Sequence, residues 1–154
     1  MTSTDVQDYL NGLERILFEI DKLRPVSLSR EWVNSLKKDF NGPGVYVFFE
    51  EGKPCYVGET GNIRKRMNDI RNTLNHSLRR NFGHKHFNEH PEFHGSSSKR
   101  KFHASIEALL DELMIKNLQV SMLLVDLGRK ELEEHICEKY RLLERYNIRS
   151  KRKQ

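Results

Sequence analysis

Apolar residues at Val6, Tyr9, Leu10, Leu13, Ile16, Leu17, Ile20 and Leu23 follow the three-to-four-residue spacing of one helical stripe. They predict an amphipathic helix over 5–23, opened by a capping box of Thr4 and Gln7 and ended by Pro25. Ser29 with Glu31 opens a shorter helix through Trp32, Val33 and Leu36 to about Lys38, and Asn41-Gly-Pro-Gly44 then breaks the chain. The β-branched and aromatic run Val45-Tyr-Val-Phe-Phe49 reads as a strand, and Lys53-Pro-Cys-Tyr-Val-Gly58 as its hairpin return. Ile63, Met67 and Ile70 mark the inward side of a helix from about Asn62 to Asn72, and a short helix is expected over 75–82. Residues 83–104 hold Gly, Pro, a Ser triplet and many charges, which predicts a long, mobile surface loop. Ile106, Leu109, Leu110, Leu113 and Met114 form another helical stripe, Val120–Val125 a buried strand, and Leu132, Ile136, Tyr140 and Leu143 a final helix.

Helices and a few short strands in this order predict an α+β fold with a small antiparallel or mixed three-stranded sheet flanked by helices. At 154 residues the chain is the length of a single domain. The expected division is an N-terminal helical extension over 1–40, packed on a core domain over 41–154. No apolar run is long enough for a membrane span, and MTSTDVQDYL has neither a basic start nor an apolar block. A cytoplasmic, membrane-free protein is therefore expected. Two cysteines, Cys55 and Cys137, do not make a disulfide framework.

Charge is distributed unevenly. The whole chain carries +5, yet the stretch from Asn62 to Ala104 holds ten Lys/Arg against three acids, a local +7, together with six of the seven histidines. Positive charge confined to one segment suits phosphates, whose condensed counterions it releases. A second basic cluster, Arg149-Ser150-Lys151-Arg152-Lys153, reads as a frayed end.

Gly44-Val45-Tyr46, then Tyr56-Val57-Gly58, then Arg66 eight residues after Gly58, resemble the signature of the GIY-YIG nuclease family. Asn62-Ile63-x-x-Arg66-Met67, His76-Ser77-Leu78-x-Arg80, the strand at 120–125, Glu133-x-x-Ile136-Cys137 and Tyr146-Asn147 extend the resemblance from Gly44 to Asn147, apart from 83–104. The chain departs from the pattern at Ile70, where several members carry His, and at Glu59, where Lys or Gln is frequent.

The resemblance implies a metal-dependent DNA endonuclease that hydrolyses phosphodiester bonds. It implies one Mg²⁺ or Mn²⁺ held by Glu133, with Tyr46 as proton acceptor or water-orienting hydroxyl, Tyr56 on a phosphate or water, Arg66 stabilising negative charge and His76 as a helper. The residues themselves are compatible with this. Tyr46 and Tyr56 share a sheet face if a three-residue loop, Glu50-Glu51-Gly52, opposes them across the hairpin, whereas a two-residue loop puts them on opposite faces. Arg66 borders the buried stripe of its helix, while Arg64 and Lys65 point outward, and Glu133 lies at the edge of the apolar face of the last helix.

Arg64, Lys65, Arg79, Arg80, Lys99, Arg100 and Lys101 are the expected phosphate contacts, with DNA as the expected partner and RNA not excluded. A homodimer could form through the first 40 residues. Two alternatives are a nucleic-acid-binding module on the same fold that does not cleave, and an interaction adaptor whose run His84, His86, His90 and His94 holds zinc.

Overall fold

The computed structural model describes residues 2–148, so the basic cluster at 149–153 lies outside the described residues. The architecture is α+β, built on a sheet of four antiparallel strands in the order β1-β4-β2-β3. Three are the expected strands: β2 (Gly44–Glu50), β3 (Lys53–Thr60) and β4 (Leu118–Leu124). The fourth, β1 (Arg24–Pro25), pairs with only Val120 and Gln119 and is too short to leave a periodic signal. Around them lie α1 (Ser3–Leu17), α2 (Arg30–Ser35), α3 (Ile63–Asp69), α4 (Ser77–Phe87), α5 (Ala104–Asn117) and α6 (Arg129–Lys139). No helix among the described residues is long and apolar enough to cross a membrane.

Strand β2 is buried at every position, because it lies between β4 and β3 and is covered on both faces. One face carries Tyr46, Phe48 and Tyr56 and packs against Ile63, Met67, Leu78, Phe82, Ile106 and Leu110 of α3, α4 and α5. The other carries Val45, Val47, Phe49 and Val57 and packs against Leu10, Leu17, Leu132 and Ile136 of α1 and α6. The sequence alternates large side chains with period two because both faces need filling.

The hairpin turn has two residues, Glu51 and Gly52, at φ values of 54° and 77°, the left-handed geometry that matches strand twist. A two-residue turn alone would send Tyr46 and Tyr56 to opposite faces. The ladder shifts by one residue between Phe48 and Phe49, so that Phe49 pairs with Pro54, Phe48 with Tyr56 and Tyr46 with Gly58. Cys55 is the extra residue of this bulge. The two tyrosines therefore share a face on a diagonal instead of facing each other. Gly58 is required there, since a Cβ at that position would lie 2.3 Å from the Tyr46 hydroxyl.

Several predicted boundaries move. Helix α1 begins two residues earlier than expected, with Thr2 and Asp5 as its capping box, and stops at Leu17 before a short 3₁₀ turn over Ile20–Lys22. The last helix ends at Lys139, leaving Leu143 on a separate 3₁₀ turn. Most of the change falls in the supposed mobile loop over 83–104. Helix α4 continues through Phe87, and the rest folds back on it: His84 accepts a bond from the Ser96 amide at 3.1 Å and contacts the Phe93 and Phe102 rings. Phe102 lies so close to Gly83 that a Cβ there would come within 2.5 Å of its ring.

Arg79 is a correction of a different kind. Expected to contact phosphate, it is only 2% exposed. Its guanidinium meets Glu107 at 2.9 Å and Asp111 at 2.6 Å and donates to Thr73 at 3.0 Å. It ties α4 to α5 and is not a surface cation. The N-terminal helix is fastened in a similar way. Glu14, 6% exposed, receives bonds from His135 at 2.7 Å, Lys139 at 2.8 Å and the Tyr140 hydroxyl at 2.5 Å.

Two stability measurements follow from these buried ion pairs. Arg79→Ala leaves Glu107 with an unmatched charge beside the core, so chemical denaturation should show a loss of about 3–5 kcal/mol. Burial works to raise the Glu14 carboxyl, but bonds from Lys139, Tyr140 and His135 outweigh it and hold it below its ordinary range. Its stabilisation is thus present above the unfolded carboxyl pKa of about 4.3 and is lost as the pH falls below it. Glu14→Gln should cost about 1–3 kcal/mol at pH near 7, and the gap to the parent protein should close in strongly acidic buffer.

Candidate active site

The diagonal arrangement on the sheet places the two tyrosine rings 6.2 Å apart, nearly parallel. Helices α3 and α4 then bring polar groups over them. His76 caps α4: its Nδ1 accepts the Leu78 amide at 3.1 Å, one of the donors that a helix start leaves unpaired, while its Nε2 lies 3.0 Å from the Tyr46 hydroxyl. Ser77, the first residue of α4, bonds through its hydroxyl to the Tyr56 hydroxyl at 3.1 Å. Arg66, near the end of α3, lies close enough to Tyr46 for each to shift the other's proton affinity, and donates to the Asn75 carbonyl at 2.9 Å and Asp69 at 3.1 Å.

Glu133 arrives from the other side of the sheet. Strand β3 is an edge strand, and its outward backbone groups are paired in turn by the chain that follows β4. The Tyr146 amide donates to the Cys55 carbonyl at 3.1 Å, Asn147 makes two 2.8 Å bonds to the backbone of Val57, and the Glu133 carboxylate accepts the Glu59 amide at 2.8 Å. The last contact holds Glu133 beside Gly58, the residue that pairs with Tyr46. Arg129, one turn earlier on α6, donates to the Thr60 carbonyl at 2.7 Å and lies 3.6 Å from Glu59.

The site is layered. Tyr46 is 1% exposed, His76 0% and Tyr56 7%, whereas the Arg66 side chain is 30% exposed. Burial pushes the Tyr46 phenol well above its usual range, with Tyr56 and Glu133 adding to this and Arg66 opposing it. Burial works against the Arg66 charge, but Tyr46, Asp69 and Tyr56 outweigh it and leave the guanidinium more firmly charged than usual. His76 is held well below the normal imidazole range, first by burial and then by Arg66 and Arg80. Arg80 is lowered by burial and by Arg66, while Tyr56 acts in the opposite direction.

Of the expected site residues, Tyr46, Tyr56, Arg66, His76 and Glu133 thus gather at one end of β2 and β3. Arg80 belongs to the same neighbourhood, with its guanidinium bonded to the Thr73 and Leu74 carbonyls at 3.0 and 3.1 Å. Arg64 is held by Asn41 at 3.4 Å, and Lys65, Lys99, Arg100 and Lys101 are exposed. Arg79 is buried elsewhere, as described above. Ser77, Asn147 and the Glu59 amide were not assigned from sequence. Ser77 stood beside His76 in the quoted motif, but a backbone donor carries no residue signature.

A lone carboxylate fixed by a backbone amide suits a cation that keeps most of its water, such as Mg²⁺. Among the described residues no group of three or more His, Cys, Asp or Glu is placed to hold a metal ion. The alternative of a zinc site on His84, His86, His90 and His94 therefore has no ligand group to support it. His84 serves Ser96, His86 lies 3.1 Å from Glu50, His90 accepts the Glu92 amide and His94 bonds the Gly95 carbonyl.

No family model matches the chain, and no curated protein does. Among solved structures the chain is similar to the GIY-YIG N-terminal endonuclease domain of UvrC from Thermotoga maritima. The magnesium-bound form matches at 17% identity and TM-score 0.36, over 73% of this chain and 94% of that one. Two tyrosine-to-phenylalanine mutants of the same domain, bound to the catalytic divalent cation, match at 15% and 14% identity with TM-score 0.38, over 73% of this chain and 92% of those.

Proposed function

We propose that this protein is a divalent-cation-dependent endonuclease that hydrolyses phosphodiester bonds in DNA. One observation carries the reading: Glu133 reaches around an edge strand to the end of the sheet where Tyr46, Tyr56, Arg66 and His76 already meet. Groups whose protonation is shifted by burial and by one another cluster at functional sites, and Tyr46, Arg66 and His76 are such groups.

In hydrolysis a water oxygen bonds to phosphorus as the bridging P–O bond breaks, the attacking water releases one proton and the leaving oxygen takes one up. When bound, Mg²⁺ or Mn²⁺ would supply charge neutralisation at the phosphate and a more acidic water. Glu133 is the residue that would hold it. Arg66, whose side chain is 30% exposed, is placed to balance charge that develops on the phosphate. The Tyr56 hydroxyl, set by Ser77, orients water or phosphate, and Asp69 with the Asn75 carbonyl fixes Arg66. Arg80, Arg64, Lys65 and the exposed Lys99, Arg100 and Lys101 would contact flanking phosphates, which secures position and not sequence.

The near-complete burial of Tyr46 and His76 favours a second reading, in which the same surface binds nucleic acid without cutting it. Nicking of supercoiled DNA with and without Mg²⁺ or Mn²⁺ separates the two. The nuclease reading expects cation-dependent nicking that falls about 100- to 1,000-fold in Tyr46→Phe, Arg66→Ala and Glu133→Ala. Retained activity in Glu133→Ala would contradict the assignment of Glu133, and binding with no nicking under any cation would establish the second reading. Substituting Lys99, Arg100 and Lys101 together should weaken binding alike on all sequences and reduce the salt slope by up to about one unit per lost contact.

A further inference from the structure

The two bonds to the His76 ring decide where its proton sits. The Leu78 amide can only donate, so the Nδ1 that accepts it at 3.1 Å carries no hydrogen. A neutral imidazole must then carry its proton on Nε2, which faces the Tyr46 hydroxyl at 3.0 Å. A second proton on the ring would have to displace the Leu78 amide. It would also place a cation at the positive end of α4, fully buried, with Arg66 and Arg80 nearby. The ring is therefore neutral, and it donates through Nε2.

The consequence falls on Tyr46. Its oxygen accepts from His76 Nε2–H, and the Arg66 charge lies close by. A ring that donates through Nε2 cannot accept from the phenol, so the Tyr46 O–H is left to find its acceptor elsewhere in the site. The His76 donor and the Arg66 charge favour a phenolate, but burial acts more strongly the other way and keeps the phenol protonated. We propose that His76, locked as its Nε2–H tautomer by the Leu78 amide, makes Tyr46 an obligate hydrogen-bond donor within the site. On this inference, which deepens the nuclease reading and rests on it for its catalytic meaning, His76 is a positioning residue. Tyr46 then holds a phosphate oxygen or the attacking water by donating to it, and does not take the water's proton. The groups facing His76 are Tyr46, Tyr56, Arg66 and Arg80, and none offers it an acceptor other than a phenol oxygen.

Nitrogen NMR of the full chain labelled in histidine tests the ring directly, without requiring activity. The His76 signal, assigned by its absence in His76→Gln, should show a protonated Nε2 and an unprotonated Nδ1 throughout pH 5.5 to 8.5, a range chosen to span the ordinary imidazole pKa of about 6.5. Its slowly exchanging Hε2 should shift in Tyr46→Phe while the tautomer stays the same. A protonated Nδ1, a doubly protonated ring near neutral pH, or an Hε2 indifferent to Tyr46→Phe would overturn the proposal. In the nicking assay His76→Gln, whose amide can donate from about the same place, should remain within about tenfold of the parent protein, and His76→Ala should fall about 100-fold. Equal activity in His76→Ala would overturn the positioning role. A parent protein that never nicks would defeat the nuclease reading and leave the tautomer to be decided by the spectra alone.

Discussion

Everything at the site depends on one extra residue in one strand. With Glu51 and Gly52 as a two-residue turn, strict alternation would place Tyr56 on the face that packs against α1 and α6. The bulge at Cys55 resets the alternation, and Tyr56 joins Tyr46 over α3 and α4. The bulge is not left to itself. The Tyr146 amide holds the Cys55 carbonyl, and the Tyr146 hydroxyl, 2.9 Å from buried Glu50, anchors that segment against the core. Burial, together with the nearby Glu50 charge, pushes the Cys55 thiol up to about 12, so it remains a neutral packing group where the strand bends.

The same edge of β3 explains how two faces of a sheet can supply one site. An edge strand has unpaired amides and carbonyls that must find partners. Here the C-terminal part of the chain provides them with Tyr146, Asn147 and Glu133 in succession. Glu133 thus gains its position from a backbone requirement of the fold, and the carboxylate reaches the tyrosine face although α6 packs on the opposite one. The clamp of Glu14 on His135, Lys139 and Tyr140 fastens α1 to that same helix, so the N-terminal extension supports the element that carries Glu133.

The strands, the principal helices and the α+β class were legible because they are written in periodicity: alternation in β2, inward Ile63, Met67 and Ile70 in α3, and a strand at 120–125. The grouping of Tyr46, Tyr56, Arg66, His76 and Glu133 was legible only through the ordered motif set, since none of these residues is distinctive alone. The turn length stayed open in the sequence, because a bulge and a longer loop restore the same parity and leave the same residues in the chain. Arg79 was misjudged because a basic segment looks alike whether its arginines face water or acids. Glu107 and Asp111 lie about one helix away in sequence, and charge counted within a window does not include them. The segment after Phe82 looked mobile because its order comes from Phe93 and Phe102 packing on His84 of α4, contacts without a period.

The central claim is that a carboxylate, a guanidinium and two phenols surround a place for a hydrated cation and a phosphate. Crystals soaked with Mn²⁺ and measured at its absorption edge test this most directly. The account predicts one anomalous peak within coordination distance of the Glu133 carboxylate, on the side facing Tyr46 and Arg66. Ordered Mn²⁺ elsewhere on the protein, with none beside Glu133, would contradict it.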